Sequence, residues 1–248
     1  MSQEPIHDTI AGEHRESKRL PFRLHVEEHT LRRLLGDLRG REVLDLACGE
    51  GNWTRQIRAQ GAARALGVDV SRAMIELARE EERRNPMGCE YRVGDVAGTL
   101  AGESFDVVVG CYLLNYARSA EQLLGFCRAI HASLRPGGRF IGFNDNPWNP
   151  PARYGDYRKY GFLKWSPPGR REGDPVAYTL YNPDGSEFTF DNFYLSPSTY
   201  ERAFAEAGFS DFSWRGPWLS DEGRAAFPPG YWDAYLASPP MVGIEASR

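Results

Sequence analysis

The chain has few cysteines, and their spacing argues against two kinds of cross-linked or metal-stabilised protein. Its 248 residues include four cysteines, Cys48, Cys89, Cys111 and Cys127. No two of them form a Cys-x-x-Cys pair, so the spacing predicts neither a zinc site nor a disulfide framework. We therefore expect no bound metal. A chain of this length can also bury a sizeable hydrophobic core, so it needs no cross-links for stability.

Long apolar runs and an excess of basic residues are also missing. No run approaches the ~20 apolar residues of a membrane span, and the segment around Glu4, His7 and Asp8 has no signal-peptide core. We expect a cytoplasmic protein without a membrane partner. The formal net charge of −4 argues against a nucleic-acid partner, which would need a broad basic surface. The length fits one large domain, or a domain with a cap.

A short apolar segment that ends in a glycine-rich turn is the most informative part of the chain. Residues 42–47 predict a strand, Gly49 and Gly51 mark a sharp turn, and residues 53–60 can form a helix. Glycine permits positive φ and close approach of the backbone to a ligand. The first N–H groups of the helix have no partner within it and face the same crevice. This unit is typical of the nucleotide-binding start of a doubly wound α/β sheet.

The turn differs from the two common phosphate-binding patterns. Thr54 stands where a dinucleotide motif has its third glycine, and the lysine of a phosphate-binding loop is missing. A nucleoside without phosphates is therefore the favoured ligand. A second predicted strand ends in Asp69, about twenty residues on, where a carboxylate can accept hydrogen bonds from both ribose hydroxyls. Alternatively, the glycines only form a tight turn and Asp69 only caps the next helix, but the spacing favours the ligand.

Strands and helices alternate along most of the chain. Periodic leucines from Leu24 to Leu38 predict a helix before the first strand, and Ser71 is a good N-cap for a later one. The predicted strands are 42–47, 65–70, 89–94, 105–110, 138–144, 209–215 and 242–246, and the predicted helices are 53–60, 72–84, 119–133 and 197–207. This alternation predicts an α/β fold with a Rossmann-like, doubly wound, seven-stranded sheet.

After Phe143 the composition changes. Residues 144–175 are rich in Pro, Gly and aromatic residues, which argues against a regular helix. Two predicted strands, 176–181 and 187–194, flank a Pro-Asp-Gly turn and indicate an inserted antiparallel cap. The predicted units are an N-terminal helical segment over 1–40 that closes the ligand site, a ligand-binding core over 41–144, the cap over 145–195, and residues 196–248, which complete the sheet.

Several short motifs follow one another in a fixed order between residues 41 and 143. They are Val43–Gly51, Gly67–Ser71, Gly94–Val96, Phe105–Gly110 and Leu134–Phe140. In sequence and spacing they resemble the motifs of the class I S-adenosylmethionine (SAM) dependent methyltransferases. The resemblance implies that SAM is the cofactor and that it binds at the carboxyl ends of the strands.

The flanking segments are similar to those of a bacterial subgroup around the toxoflavin methyltransferase. The similarity lies in Asp8–Ala11, Ser17–Arg23, Thr199–Glu201, Ala207–Phe209 and Tyr231–Trp232. His7 stands where that subgroup often has Tyr, and Asn52-Trp53 stands where it commonly has Phe-Tyr, so the pocket differs in detail. Some relatives of the subgroup look like SAM cyclases that form azetidine-2-carboxylate.

The resemblance assigns the cofactor contacts. It places the methionyl part of SAM at the turn, the ribose at Asp69 and the adenine at Asp95-Val96. Arg23, or else Lys18, is expected to reach the SAM carboxylate, and the alternative for both is a surface charge. The predicted cofactor-binding residues are Arg23, Ala47, Cys48, Gly49, Gly51, Asp69, Val70, Asp95, Val96 and Cys111.

The substrate pocket is expected between the cap and the ends of the fourth and fifth strands. The substrate-binding candidates are Asn115, Trp148 and Tyr178, and the catalytic candidates are Asn144 and Tyr181. Asn144 stands out because it is a polar residue at the end of an otherwise apolar strand. An aromatic cap suits a planar or hydrophobic small molecule, or a cation held by ring faces. Alternatively, the aromatic residues only pack the cap onto the sheet.

Three functions are compatible with the sequence. The leading hypothesis is that the protein transfers a methyl group from SAM to a nitrogen or oxygen atom of a small metabolite in specialised metabolism. We expect it to act as a monomer or a homodimer. The second is cyclisation of SAM to azetidine-2-carboxylate and methylthioadenosine, with Asn144 and Tyr181 holding the SAM amino group. The third is a SAM-binding protein without catalysis, since a fold does not determine a function. Both enzymatic hypotheses use the same cofactor motifs, so the sequence does not separate them.

Overall fold

Two β-sheets form the framework of the protein. The computed structural model describes residues 17–95 and 102–248. In chain order, the strands in these ranges are β1 (Glu42–Leu46), β2 (Arg64–Asp69), β3 (Glu90–Val93), β4 (Phe105–Cys111), β5 (Leu134–Asp145), β6 (Phe162–Trp165), β7 (Pro175–Tyr181), β8 (Glu187–Phe193), β9 (Asp211–Arg215) and β10 (Met241–Ser247).

The larger sheet has seven strands and confirms the predicted doubly wound architecture. Its order is β3-β2-β1-β4-β5-β10-β9. The strands β1 to β5 run parallel to one another, whereas β10 lies antiparallel between β5 and β9. The strand order reverses between β1 and β4, and ligands of such sheets bind at this switch point beyond the carboxyl ends of the strands.

Helices cover both faces of this sheet. A π-helical turn (Arg23–Glu27) leads into α1 (Glu28–Leu35), and the α-helices that follow are α2 (Asn52–Ala59), α3 (Arg72–Arg84), α4 (Ala120–Ser133), α5 (Pro197–Ala207), α6 (Asp221–Ala225) and α7 (Asp233–Ala237). Ser71 caps α3 as predicted, because its hydroxyl accepts the Met74 N–H at 3.1 Å. Within the described ranges, no helix has both the length and the apolar character that a membrane span needs.

The apolar core is divided into two layers by the sheet. Val43 belongs to one cluster of buried residues, and Leu44 and Leu46 of the same strand belong to the other. Neighbouring side chains of a strand point to opposite faces, so β1 is buried on both. This double burial explains why the central strands read as continuous apolar runs in the sequence.

The smaller sheet is antiparallel, with the order β6-β7-β8. The strands β7 and β8 match the predicted pair, whereas β6 was not predicted. The segment Pro151–Tyr160 is a 3₁₀ helix, although we expected no regular helix here. Its buried Tyr154, Tyr157 and Tyr160 recur at every third position, which is the repeat of a 3₁₀ helix. Burial of these rings on one side outweighs the poor helical propensity of the segment.

A buried ion pair joins the two sheets. The Lys164 ammonium group of β6 donates to Asp145, the last residue of β5, at 2.5 Å, and to Asn149 Oδ1 at 2.9 Å. The Tyr178 hydroxyl donates to the same Asp145 oxygen. The Lys164 side chain is fully buried, and this burial lowers the pKa of its ammonium group. These contacts hold the small sheet against the carboxyl end of β5.

Candidate active site

The turn after β1 is constrained both by its backbone and by its surroundings. Ala47, Gly49 and Gly51 have positive φ angles of 55°, 55° and 82°. A Cβ atom at Gly51 would lie 2.5 Å from the Tyr91 hydroxyl oxygen, so both the φ angle and the packing require glycine. A left-handed conformation at a residue such as Ala47 costs about 1–3 kcal/mol, and such strain is concentrated at functional sites. The geometry of the turn therefore points to a ligand.

Thr54, at the position of the missing third glycine, supports the turn from below. Its hydroxyl donates to the buried Asp45 carboxylate at 2.7 Å. Burial raises the pKa of Asp45 to about 7; the Asp69 charge adds to this rise, and the Thr54 hydrogen bond opposes it. Gly67 of β2 makes room for this packing, because a Cβ atom there would lie 2.8 Å from both Cys48 Sγ and Thr54 Oγ1. Thr54 thus stands where other motifs have a glycine, and its hydrogen bond to Asp45 fixes α2 to β1, the strand that leads into the turn.

Asp69 is oriented at the tip of β2 by two backbone groups. The Gly49 N–H donates to its Oδ2 atom at 2.8 Å, and the Ser71 N–H donates to its Oδ1 atom at 2.9 Å. Ser71, and not Asp69, is the N-cap of α3. The carboxylate therefore does more than cap a helix, because it connects the tip of β2 to the glycine turn.

A cavity of about 450 Å³ opens beside this turn. Such a volume is typical of small-molecule sites. The predicted cofactor residues that line it are Arg23, Ala47, Cys48, Gly49, Asp69, Val70, Asp95 and Cys111. Gly51 is not among its lining residues, because it packs against Tyr91, and Val96 lies outside the described residues. In the ranges 17–95 and 102–248, no group of His, Cys, Asp and Glu side chains is arranged to hold a metal ion.

The N-terminal segment contributes two basic residues to the cavity lining. Lys18 pairs with Glu50 of the turn at 2.6 Å, and Arg23 pairs with Glu27 at 3.3 Å. Both basic side chains are largely buried, with 22% and 15% of their surface exposed. Lys18 and Arg23 are therefore part of the cavity wall and are not plain surface charges.

Glu27 is a buried carboxyl group of the cavity lining that the sequence analysis did not identify. It is 1% exposed and ends the π-helical turn, a rare conformation that is frequent at functional sites. Tyr112 follows β4 with a positive φ of 59°, and its hydroxyl donates to Glu27 Oε1. Burial raises the pKa of Glu27, whereas Arg23 and Tyr112 lower it. One feature of the sequence could have indicated this residue: Glu27 is a charged residue within the periodic leucines of the predicted helix, between Leu24 and Leu31.

The small sheet provides another part of the wall. Tyr178 and Leu180 of β7 and Phe190 and Asn192 of β8 line the cavity. Each pair is two residues apart, so its members share one face of their strand. The Tyr178 and Phe190 rings are stacked, with centroids 5.7 Å apart and planes 9° from parallel. Because the Tyr178 hydroxyl is bonded to Asp145, Tyr178 contributes ring surface to the cavity.

The comparison with known families agrees with this geometry. Residues 43–138 match the family model described as a methyltransferase domain. This part of the chain, 96 of its 248 residues, is thus similar to a methyltransferase domain. N-demethylindolmycin N-methyltransferase of Streptomyces griseus is 23% identical over 171 residues, which cover 68% of this chain and 69% of that protein. Demethylmenaquinone methyltransferase of Lactococcus lactis is 34% identical over 119 residues, which cover 45% of this chain and 44% of that protein.

Solved structures extend the likeness in fold to nearly the whole chain. A SAM-dependent methyltransferase from Mesorhizobium loti has a TM-score of 0.62 at 21% identity and covers 94% of this chain and 100% of that one. The DhpI–SAH complex has a TM-score of 0.60 at 19% identity and covers 97% of this chain and 92% of that one. Both solved structures share the fold of this chain, and the DhpI structure is a complex with SAH.

Two predicted asparagines do not line the cavity. The Asn144 side-chain amide donates to the Tyr200 hydroxyl at 3.1 Å, and both residues are buried. Asn115 Oδ1 accepts the backbone N–H of Asp145 at 3.1 Å. Each side chain thus satisfies one neighbouring polar group near the end of β5, while Asn144 Oδ1 and Asn115 Nδ2 have no hydrogen-bond partner among the described residues. Asn144 became a candidate because it is a polar residue at a strand end. That pattern alone does not distinguish a residue that forms a hydrogen bond inside the core from a catalytic residue.

Two predicted aromatic residues also do not line the cavity. Trp148 is 53% exposed and packs edge-on against Trp214, with ring centroids 5.0 Å apart. Tyr181 is three residues after Tyr178, so alternation along β7 places it on the opposite face. There the Arg158 guanidinium carbon lies 4.3 Å from the centroid of its ring. Of the candidate catalytic and substrate residues, Tyr178 is the one that lines the cavity.

Proposed function

We propose that the protein transfers the methyl group of SAM to a nitrogen or oxygen atom of a small metabolite. One observation carries this proposal: the turn after β1 and the small antiparallel sheet line the same cavity. A cofactor at the turn would leave the side next to the small sheet for a second molecule. Walls that are mainly apolar, with few polar groups, are typical of sites for small molecules.

In this proposal the cofactor occupies the turn side of the cavity. The fit rests on Asp69, whose carboxylate is oriented by the Gly49 and Ser71 N–H groups and would accept the ribose hydroxyls. The methionyl part would follow Ala47, Cys48 and Gly49, with Cys111 nearby, and Val70 and Asp95 would flank the nucleoside. Lys18 and Arg23 bring positive charge to the lining, which suits the SAM carboxylate.

The chemistry requires little of the protein beyond placement. The positive sulfur of SAM makes its methyl carbon electrophilic without further activation. The residues of this chain must therefore hold the acceptor atom in line with that carbon and exclude water. The buried Phe22 and Tyr178 and the partly buried Phe190 of the cavity lining are suited to excluding water.

The relatives support a small acceptor. The Streptomyces griseus protein is named as an N-methyltransferase of N-demethylindolmycin. A Coxiella burnetii relative, 27% identical over 105 residues, is named as an O-methyltransferase of ubiquinone biosynthesis. We propose that the acceptor here is a planar, largely apolar compound of specialised metabolism, in keeping with the aromatic wall at Tyr178 and Phe190.

The test is product analysis by mass spectrometry. Purified protein is incubated with SAM and a panel of amines, nitrogen heterocycles and phenols. S-Adenosylhomocysteine (SAH) that forms only when an acceptor is present supports the proposal. Methylthioadenosine and azetidine-2-carboxylate from SAM alone, above the non-enzymatic control, would show cyclisation instead. SAM binding without any of these products would contradict a catalytic function.

A further inference from the structure

Two acceptor groups of the cavity lining, Glu27 and Asn192, have no part in the proposed cofactor contacts. They come from distant parts of the chain, the π-helical turn and β8, and both line the cavity. Polar groups are usually buried in an apolar site because they bind something. Their chemistry therefore bears on the identity of the methyl acceptor.

Asn192 presents an acceptor oxygen without a partner. The residue is 2% exposed, its Oδ1 atom is buried, and among the described residues this atom accepts no hydrogen bond. Buried polar atoms in folded proteins are nearly always hydrogen-bonded, so an exception calls for an explanation. A ligand that donates an N–H or O–H group to Asn192 would supply the missing hydrogen bond.

Glu27 presents a carboxylate whose charge is partly compensated. The Tyr112 hydroxyl donates to Oε1, and the Arg23 guanidinium donates to Oε2 at 3.3 Å. An ionised carboxylate has about four lone-pair positions, so two donors do not exhaust its capacity to accept. Because burial raises its pKa, Glu27 is a better proton acceptor than an exposed glutamate.

The charge of the lining favours a cationic ligand over an anionic one. Four acidic residues and two basic residues line the cavity, which leaves an excess of two negative formal charges. Bound SAM, with sulfonium, ammonium and carboxylate groups, neutralises only part of this excess. An amine that enters as an ammonium ion is attracted by the remaining charge, whereas a phenolate or carboxylate is repelled.

We propose that the methyl acceptor is the nitrogen of a small alkylamine that carries an aromatic ring, that Glu27 receives the proton of this nitrogen, and that Asn192 Oδ1 accepts a hydrogen bond from the amine. The proposal rests on the proposed methyl transfer. The stacked rings of Tyr178 and Phe190 provide the surface against which the aromatic part packs.

The step balances without a further reactant. Glu27 first takes a proton from the ammonium ion, which frees the nitrogen lone pair. The nitrogen forms a bond to the methyl carbon while the carbon–sulfur bond breaks, and that electron pair stays on sulfur, which becomes the neutral thioether of SAH. The product leaves as a methylated ammonium ion, and the protonated Glu27 returns its proton to solvent.

A binding experiment tests the preference for nitrogen without requiring turnover. The probes are 2-phenylethylamine and 2-phenylethanol, which differ in one functional group, titrated calorimetrically into the protein saturated with SAH. We expect the amine to bind at least about tenfold more tightly than the alcohol. Glu27→Gln and Asn192→Leu should each remove most of this preference. Equal binding of the two probes, or tighter binding of the alcohol, would overturn the inference.

Turnover tests the role of Glu27. Glu27→Gln keeps an oxygen for Tyr112 but cannot take a proton, so we expect kcat to fall about a hundredfold, with SAM affinity unchanged. The acid limb of the pH profile should disappear. Besides Arg23, the groups that interact with Glu27 are Cys111, Tyr112 and Tyr235, whose pKa values burial raises, so they stay neutral through that limb. A Glu27→Gln variant with wild-type kcat and pH profile would refute the role.

A matched control and the comparison of outcomes keep the two proposals apart. Glu245→Gln makes the same change in a glutamate that pairs with Arg139 and Arg215 outside the cavity, and it should leave kcat unchanged. Asn192→Leu should raise the KM of the amine about tenfold with little effect on kcat.

Methylation of alcohols but not amines would support methyl transfer and overturn this inference. Amine-selective binding without any SAH would refute methyl transfer while supporting the amine site.

Discussion

The buried Asp45 beneath the glycine turn should make the protein less stable as the pH rises. Its pKa is raised from 3.8 to about 7, with burial as the main cause, so between these values the folded protein binds more protons than the unfolded chain. The stability contributed by protonated Asp45 is therefore fully present below about pH 4 and is lost as the pH rises through about 7. The total loss is on the order of 4 kcal/mol, of which about 3 kcal/mol falls between about pH 5 and about pH 8.5.

Asp45→Asn isolates this effect. Asparagine is neutral at every pH, and its oxygen can still accept the Thr54 hydroxyl that lies 2.7 Å from Asp45. Urea unfolding of both proteins at about pH 5 and about pH 8.5 gives the difference in the free energy of unfolding at each pH. We expect that difference to shift in favour of the variant by about 3 kcal/mol at the higher pH. Any constant cost of burying the new amide cancels from the shift.

The control for this experiment is Asp37→Asn. Arg39 holds the pKa of the exposed Asp37 at about 2, so this carboxyl does not titrate above about pH 5. Its variant should therefore show the same difference from wild type at both pH values. A difference for Asp45→Asn that stays constant within about 0.5 kcal/mol would refute the reasoning from burial.

Three further predictions concern the turn and the joint between the sheets. Asp69→Ala should weaken SAM binding about a hundredfold or more by calorimetry, because it removes a charged hydrogen-bond acceptor for the ribose; unchanged affinity would contradict the assignment of the site. Gly67→Ala should destabilise the protein by about 1–3 kcal/mol in urea unfolding, because the new Cβ would lie 2.8 Å from Cys48 Sγ; a neutral effect would show that the turn can move. Lys164→Met should lower the free energy of unfolding by about 3–5 kcal/mol, because Asp145 is left buried without its cation. The double variant Lys164→Met with Asp145→Leu should recover much of this stability. If the double variant instead loses the sum of the two single losses, Lys164 and Asp145 do not stabilise each other.

The glycine-turn side of the cavity could be predicted because its signals are local. The strand, the glycine turn and Asp69 lie within 28 residues of one another, between Glu42 and Asp69, and each has a sequence pattern of its own. The order of strands and helices followed from periodicity, and the seven-stranded sheet confirms it. Local patterns of this kind depend little on how the rest of the chain packs.

The rest of the cavity lining could not be predicted in the same way, because it is assembled from distant elements. Glu27, Tyr112 and Asn192 come from the N-terminal helical segment, the end of β4 and β8, and none of them belongs to a motif. The choice between Tyr178 and Tyr181 depended on which face of β7 lines the cavity. The sequence shows that side chains of β7 alternate between two faces, but it does not show which face this is. Asn144 was indistinguishable from a catalytic residue until its bond to Tyr200 was known.

The position of β10 constrains the order in which the sheet can be built during synthesis. The strand β10 follows β9 in the chain, yet it lies between β5 and β9 and pairs with both. Until the ribosome has released residues 241–247, β9 has no strand to join, and the side of β5 that faces β10 is an open edge. Open edges can pair with other chains, so we expect the nascent protein to be prone to aggregation at this stage. Completion of the sheet is thus delayed until this late strand emerges and closes the edge.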